Sequence, residues 1–128
     1  MKENQTRTAT CVCGNLSVEC TGEPVSVSLC SCIDCQRRTG SAFGIAAFFD
    51  QSNVYVDGEA SCYSRTSEAG FDFSFYFCPT CGSTVYWKTT RKKEFVVVAG
   101  GAFAEPNFPA PTKSVFEENK YPWLDFSL

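Results

Sequence analysis

Phe71-Asp72-Phe73-Ser74-Phe75-Tyr76-Phe77-Cys78-Pro79-Thr80-Cys81-Gly82 passes from strict alternation straight into a C-x-x-C-G turn. Phe71, Phe73, Phe75 and Phe77 point one way while Asp72, Ser74 and Tyr76 point the other, the period-two signature of a half-buried strand. The cysteine pair closes that strand with a turn suited to metal, and Gly82 follows where a knuckle favours glycine. A strand ending in such a turn predicts a mainly β chain.

Working outward, the same alternation recurs. Val25, Val27 and Leu29 alternate with Ser26 and Ser28, and Val54 and Val56 precede an Asp57-Gly58 turn signal with a returning strand through Cys62. Ile45-Ala46-Ala47-Phe48-Phe49 is apolar on both faces and suits a buried strand. Ser83 to Lys88 and Phe95 to Ala99 add two strands, separated by a surface turn containing Arg91-Lys92-Lys93. Gly14-Asn15 turns the chain between Thr10 to Cys13 and Leu16 to Cys20. Helical signal is thin: one short helix is expected from about Asp34 to Thr39, with Gly40 as a left-handed cap. Gly100 to Leu128 carries four of the six prolines, which predicts an extended, irregular tail. Phe103, Phe108, Phe116, Trp123 and Phe126 are its expected anchors on the sheets.

At 128 residues the chain is expected to form one domain, residues 1–128, around a single core. Met1 to Arg7 lacks the apolar core of a signal peptide, and no run approaches the roughly 20 apolar residues of a membrane span. A soluble, cytoplasmic protein is the expectation. Nine cysteines are an odd number clustered as C-x-C and C-x-x-C, which fits metal ligation better than a disulfide framework. Seven thiolates would add seven negative charges and two Zn2+ return four, taking the formal charge from -3 to about -6. Generic attraction to nucleic acid is therefore not expected.

Cys11-Val12-Cys13 and Cys78-Pro79-Thr80-Cys81 together supply four thiolates, a complete tetrahedral zinc site that would staple the first hairpin to the later strands. Buried thiols without metal are the plainer alternative. Cys30-Ser31-Cys32-Ile33-Asp34-Cys35 offers only three cysteines, and structural zinc takes four protein ligands while catalytic zinc keeps a free position. The trio Cys30, Cys32 and Cys35 thus reads as an open site, better suited to activating a thiol than to hydrolysis, since three anionic sulfurs leave zinc a modest Lewis acid. Cys20 or Cys62 can instead complete a second four-thiolate site, or both can be core packing, and a disulfide switch within the trio is a further reading. With no histidine in the chain, a zinc-bound water, a carboxylate such as Asp34, or a tyrosine is left to carry protons. Arg37 or Arg38 can hold a substrate carboxylate or offset the thiolate charge.

The motif order is C-V-C-G, then L-C-S-C-I-D-C-Q-R-R-T-G-S-A-F, then F-C-P-T-C-G, then G-A-F-A-E-P-N-F-P-A-P with a later Trp123. It resembles the glutathione-dependent formaldehyde-activating enzyme family, also called the centromere protein V family. That resemblance implies a β-tent of stacked antiparallel sheets, with Cys11, Cys13, Cys78 and Cys81 as structural zinc ligands and Cys30, Cys32 and Cys35 as catalytic ones. It also implies a carbon-sulfur lyase reaction that joins glutathione to formaldehyde as S-(hydroxymethyl)glutathione. The expected partners are a small-molecule thiol and an aldehyde. Ser31 stands where the family often has histidine, which removes that side chain as a proton carrier. The competing class is a noncatalytic zinc-stabilised binding module.

Overall fold

The computed structural model describes residues 5–126; Met1 to Asn4 of the polar amino-terminal stretch, and Ser127 and Leu128 of the tail, lie outside the described residues. Two sheets form. The smaller orders its strands β1 (Thr6–Thr10), β2 (Ser17–Thr21) and β5 (Val54–Asp57). The larger contains β3 (Ser26–Cys30), β4 (Gly44–Asp50), β6 (Ser61–Thr66), β7 (Asp72–Phe77), β8 (Thr84–Thr89), β9 (Phe95–Ala99) and β10 (Lys113–Val115). Its order is β10-β3-β4-β9-β8-β7-β6, antiparallel except for the parallel pair β10 and β3. The single α-helix among the described residues, α1 (Ile33–Thr39), lies between β3 and β4, and no helix there is long and apolar enough to cross a membrane.

Alternation decides which side chains are buried. Val18 and Cys20 from the small sheet, with Leu16 just before β2, meet Ala47, Phe49, Val85, Val96 and Val98 from the large one in a common apolar cluster. Each of the large aliphatic or aromatic members contributes about 1.5 to 3 kcal/mol by leaving water. The stacked, mainly β arrangement expected from the sequence is thus present, with the core between the sheets.

Several local features differ from what the sequence suggests. Val54 and Val56 do not fold back on the strand through Cys62: β5 pairs with β2, and β6 forms the far edge of the other sheet. Register sets Val56 opposite Val18 and Val54 opposite Cys20, so the valines complete the core side of the small sheet. Gly58, at φ 106°, serves a close approach and not a hairpin turn, because a Cβ there would run into the Asn15 carbonyl oxygen.

Phe73 and Phe75 alternate as expected, yet neither belongs to the common core; Tyr76, on the opposite face of β7, packs against it. The phenylalanine face is covered instead by arginines, with the Arg65 guanidinium 5.0 Å from the Phe73 ring and the Arg38 guanidinium 5.6 Å from that of Phe75. The tail is irregular but contributes β10, a three-residue edge strand just beyond Pro111, where a missing amide costs no ladder bond. Phe103 is buried and stacks on Phe108 at 4.5 Å, and Phe126 meets Phe43 edge-on, so these three anchor the tail. Phe116 and Trp123 do not: they are 53% and 74% exposed.

Candidate metal centres

Two turns build the first cluster. After β1 the chain reverses through residues 11–16, with the Cys11 amide donating to the Leu16 carbonyl at 2.9 Å and Gly14 at φ 88°. After β7 the Cys78 amide donates to the Ser83 carbonyl at 3.0 Å, the Gly82 amide donates back to the Cys78 carbonyl at 2.8 Å, and Gly82 takes φ 80°. The Val12 amide donates to the Ser83 hydroxyl at 3.2 Å and ties the turns together. Cys11 and Cys13 therefore lie in the turn beyond a strand end, one short step later than the sequence suggested.

The sulfurs of Cys11, Cys13, Cys78 and Cys81 all lie within 4.8 Å of one another. Cys11 and Cys13 are 3.7 Å apart and Cys13 and Cys78 3.6 Å apart. Four sulfurs about 2.3 Å from a tetrahedral ion are about 3.8 Å from each other, close to the spacing of these two pairs, so the donor set fits zinc. Backbone amides of Leu16 and Thr80 point at the Cys11 and Cys78 sulfurs from 3.2 and 3.4 Å. The Ser83 hydroxyl, followed by its amide, draws the Cys81 thiol down to about 5.

The second cluster is assembled where β3 gives way to α1. Cys30 ends the strand, Cys32 is the N-cap, and Cys35 lies in the first turn, all three sulfurs within 4.8 Å. The Cys35 amide donates to the Cys32 sulfur at 3.3 Å, and Gly40 caps the other end at φ 65°, ψ 25°. Hydrogen bonds from the Cys30 thiol, then that of Cys35, pull Cys32 down to about 2, while the same contacts push Cys30 up. Metal ligation requires deprotonated thiols, and three sulfurs this close favour a cation among them. The chemistry of the donor set fits zinc here too, with three ligands.

The loop is framed on both sides. The Ser31 amide donates to the Val115 carbonyl of β10 at 3.2 Å, and the Gln36 side-chain amide donates to the Ser31 and Asn119 carbonyls at 2.9 and 3.1 Å. Ser31 is fully buried, and its hydroxyl has no hydrogen-bond partner among the described residues. Neither Cys20 nor Cys62 belongs to the trio's sulfur cluster. Cys20 is buried in the core on β2, where desolvation raises its thiol to about 12, and Cys62 is exposed on β6.

A cavity of about 440 Å³ opens on Cys35 between α1 and the aromatic face of β6 and β7. Phe75, Phe77 and Tyr63 wall it, Asp34 lines it, and Arg37, Arg38 and Arg65 supply three positive charges. A larger cavity of about 840 Å³ borders Cys11 and Cys81 instead and shares Arg38, Gly82 and Thr84 with the first. Of the two arginines singled out in the sequence, Arg38 reaches inward over Trp87 at 4.4 Å, whereas Arg37 is exposed. Arg65 stands in no motif of the sequence. Alternation places it on the same face as Tyr63, and that was the available signal.

Seven cysteines gathered by turns into a four-sulfur and a three-sulfur cluster define a cysteine-rich β protein with two sites that could hold metal. More particularly, the chain belongs to the glutathione-dependent formaldehyde-activating enzyme family, whose match spans residues 6–119. Membership supports, in general terms, an enzyme acting on formaldehyde with glutathione. The fold is similar to the crystal structure of a Rhodobacter sphaeroides protein, with a TM-score of 0.63 and 22% identity over 84% of this chain and 98% of that one. At that identity the likeness concerns fold alone. Comparison with curated proteins found no match.

Proposed function

We propose that this chain is a zinc-dependent enzyme of the carbon-sulfur lyase type that joins a small thiol, glutathione or similar, to formaldehyde or another aldehyde. Cys30, Cys32 and Cys35 are the ligands of its catalytic metal, and Cys11, Cys13, Cys78 and Cys81 those of its structural one. The observation that carries this reading is an inequality: one cluster has four sulfurs, while the other has three and opens on a cavity through Cys35.

Zinc bound by the trio would supply the charge that keeps a substrate sulfur as thiolate at neutral pH. In the addition, a carbon-sulfur bond forms as the carbonyl π bond opens, and the proton lost by the sulfur ends on the new hydroxyl. Asp34 and Tyr63 line the cavity, and to them we assign the passing of that proton. Phe75 and Phe77 narrow the space for water around the reacting groups. Residues 1–128 act as one domain of this type, in the cytoplasm, where the nine thiols stay reduced.

The deciding experiment follows adduct formation from glutathione and formaldehyde by exchange NMR, with and without zinc-loaded protein. Faster exchange with protein supports the reading. Equal rates overturn it and leave a noncatalytic zinc-stabilised binding module in its place.

A further inference from the structure

The cavity beside Cys35 holds more positive charge than the protein around it answers. Its charged side chains are Asp34, Arg37, Arg38 and Arg65, in a chain whose formal net charge is -3. Among the described residues the one ion pair there joins Arg65 to Asp34 at 3.3 Å; no carboxylate lies within salt-bridge distance of Arg38.

Arg38 and Arg65 are also held in place. The Arg38 guanidinium lies 4.4 Å from the Trp87 ring and 5.6 Å from Phe75, and that of Arg65 lies 5.0 Å from Phe73 and 5.6 Å from the same Phe75. Two cations thus share one ring. Strand register makes this arrangement, because Tyr63, Phe75 and Trp87 stand opposite one another across β6, β7 and β8, with Arg65 opposite Phe73. Gly44, opposite Cys30 on β4, leaves the room Arg38 needs: a Cβ there would stand 2.9 Å from its terminal nitrogen. Stacked guanidinium groups keep their in-plane donors free, and those donors match a carboxylate in pairs.

We infer that Arg38 and Arg65 form a two-point clamp for carboxylates of the thiol substrate, and that this clamp makes the site prefer acidic thiols to neutral ones. The inference rests on the thiol-joining reading above and adds the residues that choose the thiol. A substrate carboxylate takes the free in-plane donors of Arg38, and a second one shares or displaces Asp34 at Arg65. Arg37, exposed and without an aromatic seat, only adds to the local field.

The test uses the zinc-loaded protein and S-methylglutathione, whose sulfur is blocked, so binding is read without turnover. Its dimethyl ester is the neutral-acid comparison, and calorimetry at low and high salt gives the affinities. Wild type should bind the acid at least tenfold more tightly than the ester, with the advantage shrinking as salt rises. Arg38→Gln and Arg65→Gln should each cut that advantage at least fivefold, with two zinc equivalents and the wild-type melting temperature retained. Arg91→Gln removes the same charge outside the cavity and should leave the affinities unchanged. Gly44→Ala should displace Arg38 without altering a charge and weaken the acid alone.

Equal binding of acid and ester, no binding of the acid, or unaltered preference in both arginine variants overturns the clamp. The enzyme reading fails separately. A protein that discriminates acid from ester yet does not accelerate adduct formation keeps the clamp and loses the reaction; one that accelerates cysteamine and glutathione equally keeps the reaction and loses the clamp.

Discussion

The Cys35 amide donates to the Cys32 sulfur across 3.3 Å, so one sulfur is at once a helix cap and a candidate metal ligand. The two roles separate by substitution. Serine is among the best N-caps, whereas alanine in that position costs about 1 kcal/mol. Cys32→Ser should therefore lose one of two zinc equivalents, and thiol-aldehyde acceleration with it, while the melting temperature stays within a few degrees of wild type. Elemental analysis with thermal melting monitored by circular dichroism checks this; retention of both equivalents in the variant counts against the trio as a ligand set.

The four-cysteine cluster joins segments 65 residues apart, as the Cys13 to Cys78 contact shows. Structural zinc of this kind contributes on the order of 10 kcal/mol to folding. Cys78→Ala, at a fully buried position, should lower the melting temperature by more than about 10 °C or prevent folding, unlike Cys32→Ser. Matching melting curves for the two variants would contradict the division into structural and open centres.

Gly58 and Gly70 both hold positive φ, at 106° and 90°, but only Gly58 has a neighbour in the way. Gly70→Ala should lose about 1 kcal/mol from backbone strain alone. Gly58→Ala adds the collision with the Asn15 carbonyl and should lose at least about twice that. Urea denaturation of both variants measures the difference, and equal losses would show that the small sheet yields at this turn.

Cys20 and Cys62 should differ sharply towards iodoacetamide in zinc-loaded native protein: Cys62 is exposed and reacts, while Cys20 reacts only after unfolding. Peptide mapping by mass spectrometry reads both. Burial raises Cys20 from 9.0 to about 12, so folding favours its protonated form. That contribution is fully present below about pH 9 and is lost as pH rises from there through 12, because the unfolded chain gives up the proton first. Cys20→Ala should show a shallower alkaline fall in stability than wild type.

Legibility in the sequence followed the range of the interaction that decides each feature. Cys11 with Cys13, Cys78 with Cys81, the trio and the Gly40 cap depend on neighbours within a turn, and the structure gathers all of them as local spacing suggested. Asp57-Gly58 carries the same local signal as a hairpin. Yet Val56 pairs with Val18 on the sequence-distant strand β2 of the same sheet, a preference no local window contains. The phenylalanine alternation identifies β7 but not which face meets the core, because that depends on where α1 brings Arg38. Arg65 needs both the edge position of β6 and its register with Phe73 before it means anything. β10 was hidden by the prolines around a segment too short to alternate.

The Gln36 bridge to Ser31 and Asn119 ties the trio's loop to the tail, across 83 residues in the latter case. For a chain that grows from its amino terminus, this sets an order of events. Cys30, Cys32 and Cys35 leave the ribosome early, but the carbonyl of Asn119 and strand β10 that frame them arrive after most of the protein has been made. The three sulfurs are thus made before the segment that frames them exists.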